Sequence, residues 1–380
     1  MTAMHIVDST LFFAPHSGGV KRYLLEKSRY LASVPGIRHT LLVPGPKENS
    51  GLPQIVHISS PRVPFGGGYR LPLRPALWRD ALCRLQPDLI EVGDPYYLAW
   101  SALAAARHLR VPAIAFAHSH VSRMFASRFG SWAGATVDAY LQRLYAGFDM
   151  VLAPSRVVAD HLLALGIEHV EVQSLGVDTE IFHPSARSPD LRSLLCLPPE
   201  TRLLVFAGRM AREKSIGLMC RAVEGLGSPY HLLLIGARTR RRVSPWVTEL
   251  PYQQDARQLA RLLASADALL HAGQQETFGL VILEAMACGR PIVAVAAGAV
   301  TELVDTGVGR LAVPGNVESL QHAIRSLYDC DWNLMGACAR QRVERSYSWQ
   351  RALDAQLARY TRLTRGHRVD SALVADHATP

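Results

Sequence analysis

The sequence predicts an α/β protein built from two Rossmann-like domains. Three features carry that expectation. Short apolar strands alternate with helices over residues 4–173, the alternation lapses over 177–199, and it resumes over 203–328. Alternation of this kind builds a parallel sheet covered by helices on both faces. A chain of 380 residues has room for two domains of ordinary size.

In the first half, strands are expected over 4–8, 39–43, 89–92, 113–117, 150–153 and 170–173. Helices are expected over 20–33, 75–85, 98–108, 137–146 and 156–165. Within 20–33, Val20, Tyr23, Leu24 and Leu31 fall at helical spacing, so one face is core. Pro184, Pro189, Pro198 and Pro199 then punctuate a polar stretch. The expected division is a first domain over 1–176, a linker over 177–199 and a second domain over 200–346. The second domain opens with strand 203–207, helix 216–226, strand 232–235, helix 256–264 and strand 268–271. Helix 280–288, strand 291–295 and helix 317–328 complete it. A last helix is expected over 347–366, with Leu353, Leu357 and Tyr360 on one face, followed by a flexible tail over 367–380.

Composition sets the class. Hydrophobic content of 49% with 19% charged residues fits a globular protein with large cores. No apolar run approaches the roughly 20 residues that span a bilayer, and the N-terminus reads as a first core strand rather than a signal peptide. Six scattered cysteines lack metal-binding spacing and read as reduced thiols in cytoplasm. A formal charge of +9 and a pI near 9.4 predict attraction to anions: nucleotides, acidic lipids or nucleic acid.

The stretch most informative about chemistry is 271–291, HAGQQETFGLVILEAMACGRP. A strand ends, a polar loop follows, and an apolar helix begins at Leu280 and stops at Gly289 and Pro291. The first N–H groups of a helix lack internal partners and its N-terminus carries partial positive charge, so the groups of Phe278, Gly279 and Leu280 suit an anion. Glu276 lies in the loop with Thr277, while Glu284 sits inside an apolar helix, where a carboxylate needs a hydrogen-bonding partner. Sugar or ribose hydroxyls are suitable partners.

Glu276 and Glu284, with E-x-F-G…E-A-M-A-C-G-x-P around them, resemble the Glu–seven residues–Glu signature of retaining glycosyltransferases of the GT-B fold, family 4. The resemblance implies two Rossmann-like β/α/β domains facing across a cleft, with the C-terminal helix crossing back to the first. It implies transfer of a glucose- or mannose-type hexosyl group from a nucleoside-diphosphate sugar to an acceptor hydroxyl, with no essential metal. Glu276 would contact the donor hexose, with Thr277, Phe278, Gly279 and Leu280 beside it, and Glu284 the ribose. Gly208-Arg209-Met210-Ala211-Arg212-Glu213-Lys214 is similar to the family's G-R-x-x-x-x-K element, whose Arg and Lys hold the diphosphate; Ser215 stands where glycine is common. Arg offers a fork and Lys a compact charge to phosphate oxygens. Gly18 and Gly19, in His16-Ser17-Gly18-Gly19-Val20, would lie at the diphosphate and sugar. His118, at a strand end in Ala117-His118-Ser119-His120, would support the sugar near the reacting carbon, with His120 a competing choice.

Other features carry less. Asp94 and His120 are candidates for acceptor binding, and Tyr96 and Tyr97 lie next to Asp94. Asp329-Cys330-Asp331 matches a metal-binding Asp-x-Asp pattern, but lies beyond a surface helix. Arg238, Arg240, Arg241 and Arg242 replace the familiar turn near the nucleobase and read as a solvated run or as phosphate contacts. Residues 121–145 interleave Arg123, Arg128 and Arg143 with Met124, Phe125, Phe129, Trp132 and Tyr145, a pattern suited to an anionic membrane surface or to a helix with a basic edge. The expected partners are therefore a nucleotide sugar, a glycan or lipid-linked acceptor and the inner membrane face, without nucleic acid. The alternatives are a GT-B nucleotide-sugar epimerase or hydrolase, for which no acid/base set is visible, and a basic nucleic-acid-binding protein, for which no module is visible.

Overall fold

The computed structural model describes residues 3–14, 18–46, 54–64 and 68–376, with side chains through His367. The chain forms two compact units: the residues up to Ser174 together with those from Ala352 onward, and Leu175–Arg351.

The first unit carries β1 (Met4–Ser9), β2 (Ile37–Gly45), β3 (Ile55–Ser59), β4 (Leu89–Val92), β5 (Ala113–Phe116), β6 (Met150–Ala153) and β7 (Val170–Val172). They form one sheet in the order β3-β2-β1-β4-β5-β6-β7, every pair parallel. β4, β5 and β6 are buried along their whole length, as expected of parallel strands with helices on both faces. Helices Gly19–Ser33, Pro75–Leu85, Tyr97–Leu109, Ser131–Tyr145 and Arg156–Ala164 cover the sheet.

A buried ionic network holds this unit's long-range contacts. Lys27, only 1% exposed, places Nζ 2.7 Å from Asp8 Oδ1 and 2.9 Å from Glu91 Oε1. His39 Nε2 reaches Asp8 Oδ2 at 2.6 Å. From the last helix, Gln356 donates to Glu91 Oε2 at 3.1 Å, and the Tyr360 hydroxyl donates to the same oxygen. That helix, Trp349–Asp376, thereby joins the first unit's core although it lies at the other end of the chain.

The second unit carries β8 (Arg202–Ala207), β9 (Tyr230–Ala237), β10 (Arg241–Ser244), β11 (Val247–Pro251), β12 (Ala268–His271), β13 (Ile292–Val295) and β14 (Gly309–Ala312). Their order is β10-β11-β9-β8-β12-β13-β14, parallel except for the β10–β11 pair. Core residues from Leu204, Phe206, Leu232, Leu270 and Val293 pack under helices Ile216–Leu226 and Val317–Tyr328.

Several elements depart from expectation. The stretch 177–199, expected as a linker, belongs to the second unit. It buries Phe182, Leu191, Leu195 and Leu197, and Arg192 bonds Asp267 Oδ1 at 2.7 Å. The last helix continues to Asp376, through most of the stretch expected as a flexible tail; residues 377–380 lie outside the described residues. Strands β3 and β14 sit at sheet edges, and the β10–β11 hairpin is charged, so none has the continuous apolar signal of a central strand. Residues 121–145, for which a helix with a basic edge is one of the two readings, form two helices, Val121–Phe129 and Ser131–Tyr145, and helix Trp332–Ser346 is not among the expected elements.

Replacing Lys27 by Met leaves Asp8 and Glu91 buried without their shared cation. The expected outcome in urea unfolding is a loss of about 3–5 kcal/mol. A change below about 1 kcal/mol would show that the network is not what holds this unit.

Candidate active site

In the second sheet, β8 has β9 on one side and β12 on the other, and the chain turns in opposite directions after β8 and β12. Such a reversal opens a crevice beyond the carboxyl ends of the two strands. Residues 208–214 follow β8 and residues 272–279 follow β12, so the two loops flank that crevice.

Their side chains meet there. Lys214 ends the short 3-10 turn Arg212–Lys214, and its ammonium forms an ion pair with Glu276. His271, the fully buried last residue of β12, places Nε2 3.0 Å from Oε1 of Glu276, the oxygen that also takes Lys214. A carboxylate only accepts, so His271 carries its proton on Nε2 in this contact. Burial by itself would raise the Glu276 pKa. The Lys214 charge and the His271 bond outweigh it and hold the carboxyl well below its ordinary range. Glu276 is therefore an anion with a removable partner: Lys214 is 19% exposed and Glu276 12%.

The backbone around the pair is held by residues with special conformations. Ser215 has φ 51° and ψ 41°, the left-handed region in which glycine has no steric penalty. Gly298 has φ +58°, and a Cβ there would lie 2.6 Å from Glu276 O. Its neighbour Ala299 donates its N–H to that oxygen at 3.0 Å, so the loop carrying Glu276 is fixed from a second connection. Gly279, left-handed at φ 89° and ψ 54°, opens helix Leu280–Ala287. The first bond of the helical ladder runs from Ile282 N to Gly279 O at 2.9 Å, which leaves the N–H groups of Leu280 and Val281 ahead of it. Glu284 is buried on this helix among Ile282, Leu283, Ala285 and Met286.

The first unit has its own group of candidates. The His118 ring, one turn of chain past β5, stacks on Phe116 with centroids 4.0 Å apart and lies 5.2 Å from the Tyr23 ring. Burial, then the Lys27 charge, pushes its pKa down to about 3. His120 precedes helix Val121–Phe129 and meets the His161 ring edge-on at 5.6 Å. Burial, Arg123 and His161 push it down to about 4. Both imidazoles are thus neutral near pH 7. Gly18 is the residue before helix Gly19–Ser33, and a Cβ on it would meet open space. His16 and Ser17 of the same motif lie outside the described residues.

Comparison with known proteins agrees with this arrangement. Residues 17–181 match the family described as Glycosyltransferase Family 4, and residues 201–330 match Glycosyl transferases group 1. A Mycobacterium tuberculosis protein, GDP-mannose-dependent alpha-(1-6)-phosphatidylinositol dimannoside mannosyltransferase, is 31% identical over 93% of this chain and 95% of its own. The chain is a family 4 glycosyltransferase. A GDP-mannose-dependent alpha-mannosyltransferase of Mycolicibacterium smegmatis is 32% identical over 77% of this chain and 80% of its own. Among solved structures, sucrose-phosphate synthase from Thermosynechococcus elongatus aligns at TM-score 0.79 with 20% identity over 96% of this chain and 100% of its own. Anabaena HepE in complex with UDP and glucose aligns at 0.75 with 21% identity over 95% and 100%. These likenesses identify the GT-B fold.

Within the glycosyltransferase, Lys214, Glu276, Thr277, Phe278, Gly279, Leu280 and Glu284 lie on the two loops and the helix at one crevice. Arg209 follows β8 but is 69% exposed and pairs with Glu213 at 3.1 Å rather than with Glu276. Asp94 differs from expectation: it is buried, Oδ2 accepts from Leu11 N at 2.6 Å and Thr10 Oγ1 at 3.0 Å, and Oδ1 accepts from Tyr96 N at 3.4 Å. It anchors the loop after β1 instead of presenting a carboxylate to an acceptor. Burial raises its pKa to about 6. Asp331, of the Asp-x-Asp pattern, caps helix Trp332–Ser346 through Leu334 N at 2.9 Å. Arg240, Arg241 and Arg242 bond Leu194 O, Glu249 and Pro245 O, so the run is engaged within the protein. His271, which contacts Glu276, is not among the expected site residues; its signal is a lone histidine ending the strand five residues before Glu276.

Because the folded His118 pKa lies below the ordinary 6.5, the unfolded chain takes up its proton first as pH falls. The stability associated with neutral His118 is present above about pH 6.5 and lost toward about pH 3. In urea unfolding of wild type and His118→Gln, the gap should move by about 2 kcal/mol in favour of the variant between about pH 7.5 and about pH 5. A gap independent of pH would contradict a neutral, buried His118.

Proposed function

We propose that this enzyme transfers a mannosyl group from GDP-mannose to a hydroxyl of a phosphatidylinositol-linked mannolipid, with retention at the anomeric carbon. The observation that carries the donor site is the convergence of Lys214 and His271 on Glu276 beside a helix start. The names of the mannosyltransferase relatives support the choice of nucleotide, sugar and acceptor.

The chemistry follows from what these groups offer. The incoming diphosphate draws Lys214 from Glu276, and the helix N–H groups of Leu280 and Val281 face its remaining charge. Glu276, still held by His271, accepts from a sugar hydroxyl, while Glu284 accepts from the ribose. Arg209 exchanges Glu213 for phosphate. As the bond from the anomeric carbon to the phosphate oxygen breaks, its electron pair stays on the diphosphate, where Lys214 and Arg209 stabilise it. The acceptor oxygen attacks on the same face and its proton passes to the departing phosphate. His118, being neutral, supports the sugar by hydrogen bonding and does not serve as a general acid; Gly18 and Gly19 allow close approach to the donor. Two protein cations take the role a metal ion otherwise fills, so the reaction is proposed to be metal-independent.

Lys214→Ala should lower kcat by about 10²–10³-fold while circular dichroism stays unchanged, and EDTA should not alter the wild-type rate. NMR of the product should show the α-anomer. Full activity in the variant, loss of activity with EDTA or a β-anomeric product would each refute the corresponding step.

Among the described residues no helix is long and apolar enough to cross a membrane. Helices Val121–Phe129 and Ser131–Tyr145 nevertheless expose Phe129 at 53% and Trp132 at 71%, near Arg123 and Arg128 in sequence. We assign this surface to the cytoplasmic face of an anionic membrane. Sedimentation with phosphatidylglycerol vesicles should fall by about threefold or more in Phe129→Ser/Trp132→Ser. Equal sedimentation of wild type and variant would remove the assignment.

A further inference from the structure

The Lys214–Glu276 ion pair sets a constraint on any anion that enters the site. A diphosphate that takes Lys214 strips a largely buried carboxylate of its cation. Removing one member of such a pair leaves an uncompensated charge, which costs more than the pair gains. Another group must hold Glu276 through the exchange, and His271 is placed to do so.

His271 ends β12 and is fully buried. Its Nε2 donates to Oε1 of Glu276 at 3.0 Å, and Lys214 binds the same oxygen. Departure of Lys214 therefore leaves Oε1 with a donor. The other ring nitrogen, Nδ1, is buried and has no hydrogen-bond partner among the described residues. Buried polar atoms are nearly always paired, and an exception calls for a reason. Here the ring commits its side-chain hydrogen bonding to one carboxylate. The backbone makes room for it. A Cβ on Gly273 would come within 2.8 Å of His271 Cε1 and 3.3 Å of Glu213 O, so Gly273 fits between the ring and the carbonyl just before Lys214 only because it has no side chain. The Phe206 ring, from the neighbouring strand β8, lies 6.0 Å away between centroids. The ring is thus fixed by packing rather than by a second hydrogen bond, and through Nε2 it fixes Glu276.

We infer that His271 is the positioning residue that makes the Lys214–Glu276 pair exchangeable: by keeping Glu276 bonded and aimed, it lets an incoming diphosphate take Lys214. No covalent bond is made or broken at His271. The inference rests on the proposed entry of a diphosphate at Lys214, but the binding it concerns stands apart from turnover and from the choice of nucleobase, sugar or acceptor.

Calorimetry at low salt with inorganic pyrophosphate tests it, because that probe carries the diphosphate charge whatever the nucleobase; GDP is titrated beside it. His271→Leu should weaken pyrophosphate binding by about tenfold. In Glu276→Gln, where Lys214 has no carboxylate to leave, the same change at His271 should alter binding by less than about twofold. His271→Gln places an amide N–H where Nε2–H was and should bind within about twofold of wild type. His271→Asn, whose shorter amide reaches only the place of Nδ1, should behave as His271→Leu. If His271→Leu does not fold, the Gln and Asn variants carry the test. An equal loss from His271→Leu with and without Glu276→Gln would mark a merely structural histidine and overturn the inference. So would failure of His271→Gln to restore binding, or no binding of pyrophosphate to wild type. Coupled pyrophosphate binding without GDP binding would support the inference and count against the proposed nucleotide alone.

Discussion

Strands β8 and β12 lie side by side and parallel, yet their chains leave toward opposite faces of the sheet. This constraint determines where chemistry can be placed. At this one reversal the loops part, and backbone groups and side chains at the carboxyl ends become accessible. Lys214 and Glu276, 62 residues apart in sequence, meet there because each follows one of the two diverging strands. The helix beginning at Leu280 adds its N-terminus at the same place.

The protein uses buried lysine–carboxylate contacts in two ways, and burial distinguishes them. Lys27 touches two carboxylates, is almost wholly excluded from water and lies under the rings of Tyr23 and Tyr360. Removing any partner strands a charge, so the group can only be structural. Lys214 has one carboxylate, and both members retain contact with solvent. An anion arriving from water can replace that carboxylate without leaving it stranded, because His271 still holds Glu276. Similar chemistry is thus sealed from water in one unit and partly open to it in the other.

Much of this was legible in the sequence because its physical cause is local. The central strands are buried on both faces and read as apolar runs; helix Leu280–Ala287 is announced by Gly279 before it and Gly289 after it. The spacing of Glu276 and Glu284 and the Arg209…Lys214 segment pointed to the two loops that follow β8 and β12. What escaped depends on contacts distant in sequence. Nothing local tells that His271 bonds Glu276, that Gly298 makes room for the Glu276 backbone, or that Asp94 spends its oxygens on Thr10 and Leu11. The prolines around 184–199 suggested a linker, but prolines also suit a tightly packed irregular segment, and the buried Phe182 and Leu191 make it one. Ser215 departs from the expected glycine while keeping the left-handed backbone that explains why glycine is favoured there.

The central claim is that the diverging loops of β8 and β12 receive the donor's diphosphate, with Lys214 changing partner. A crystal structure of the full chain with GDP tests it most directly. The diphosphate should lie within hydrogen-bond distance of Lys214 Nζ and the N–H groups at the start of helix Leu280–Ala287, with Glu276 retained by His271. A diphosphate bound elsewhere, with the Lys214–Glu276 pair undisturbed, would contradict it.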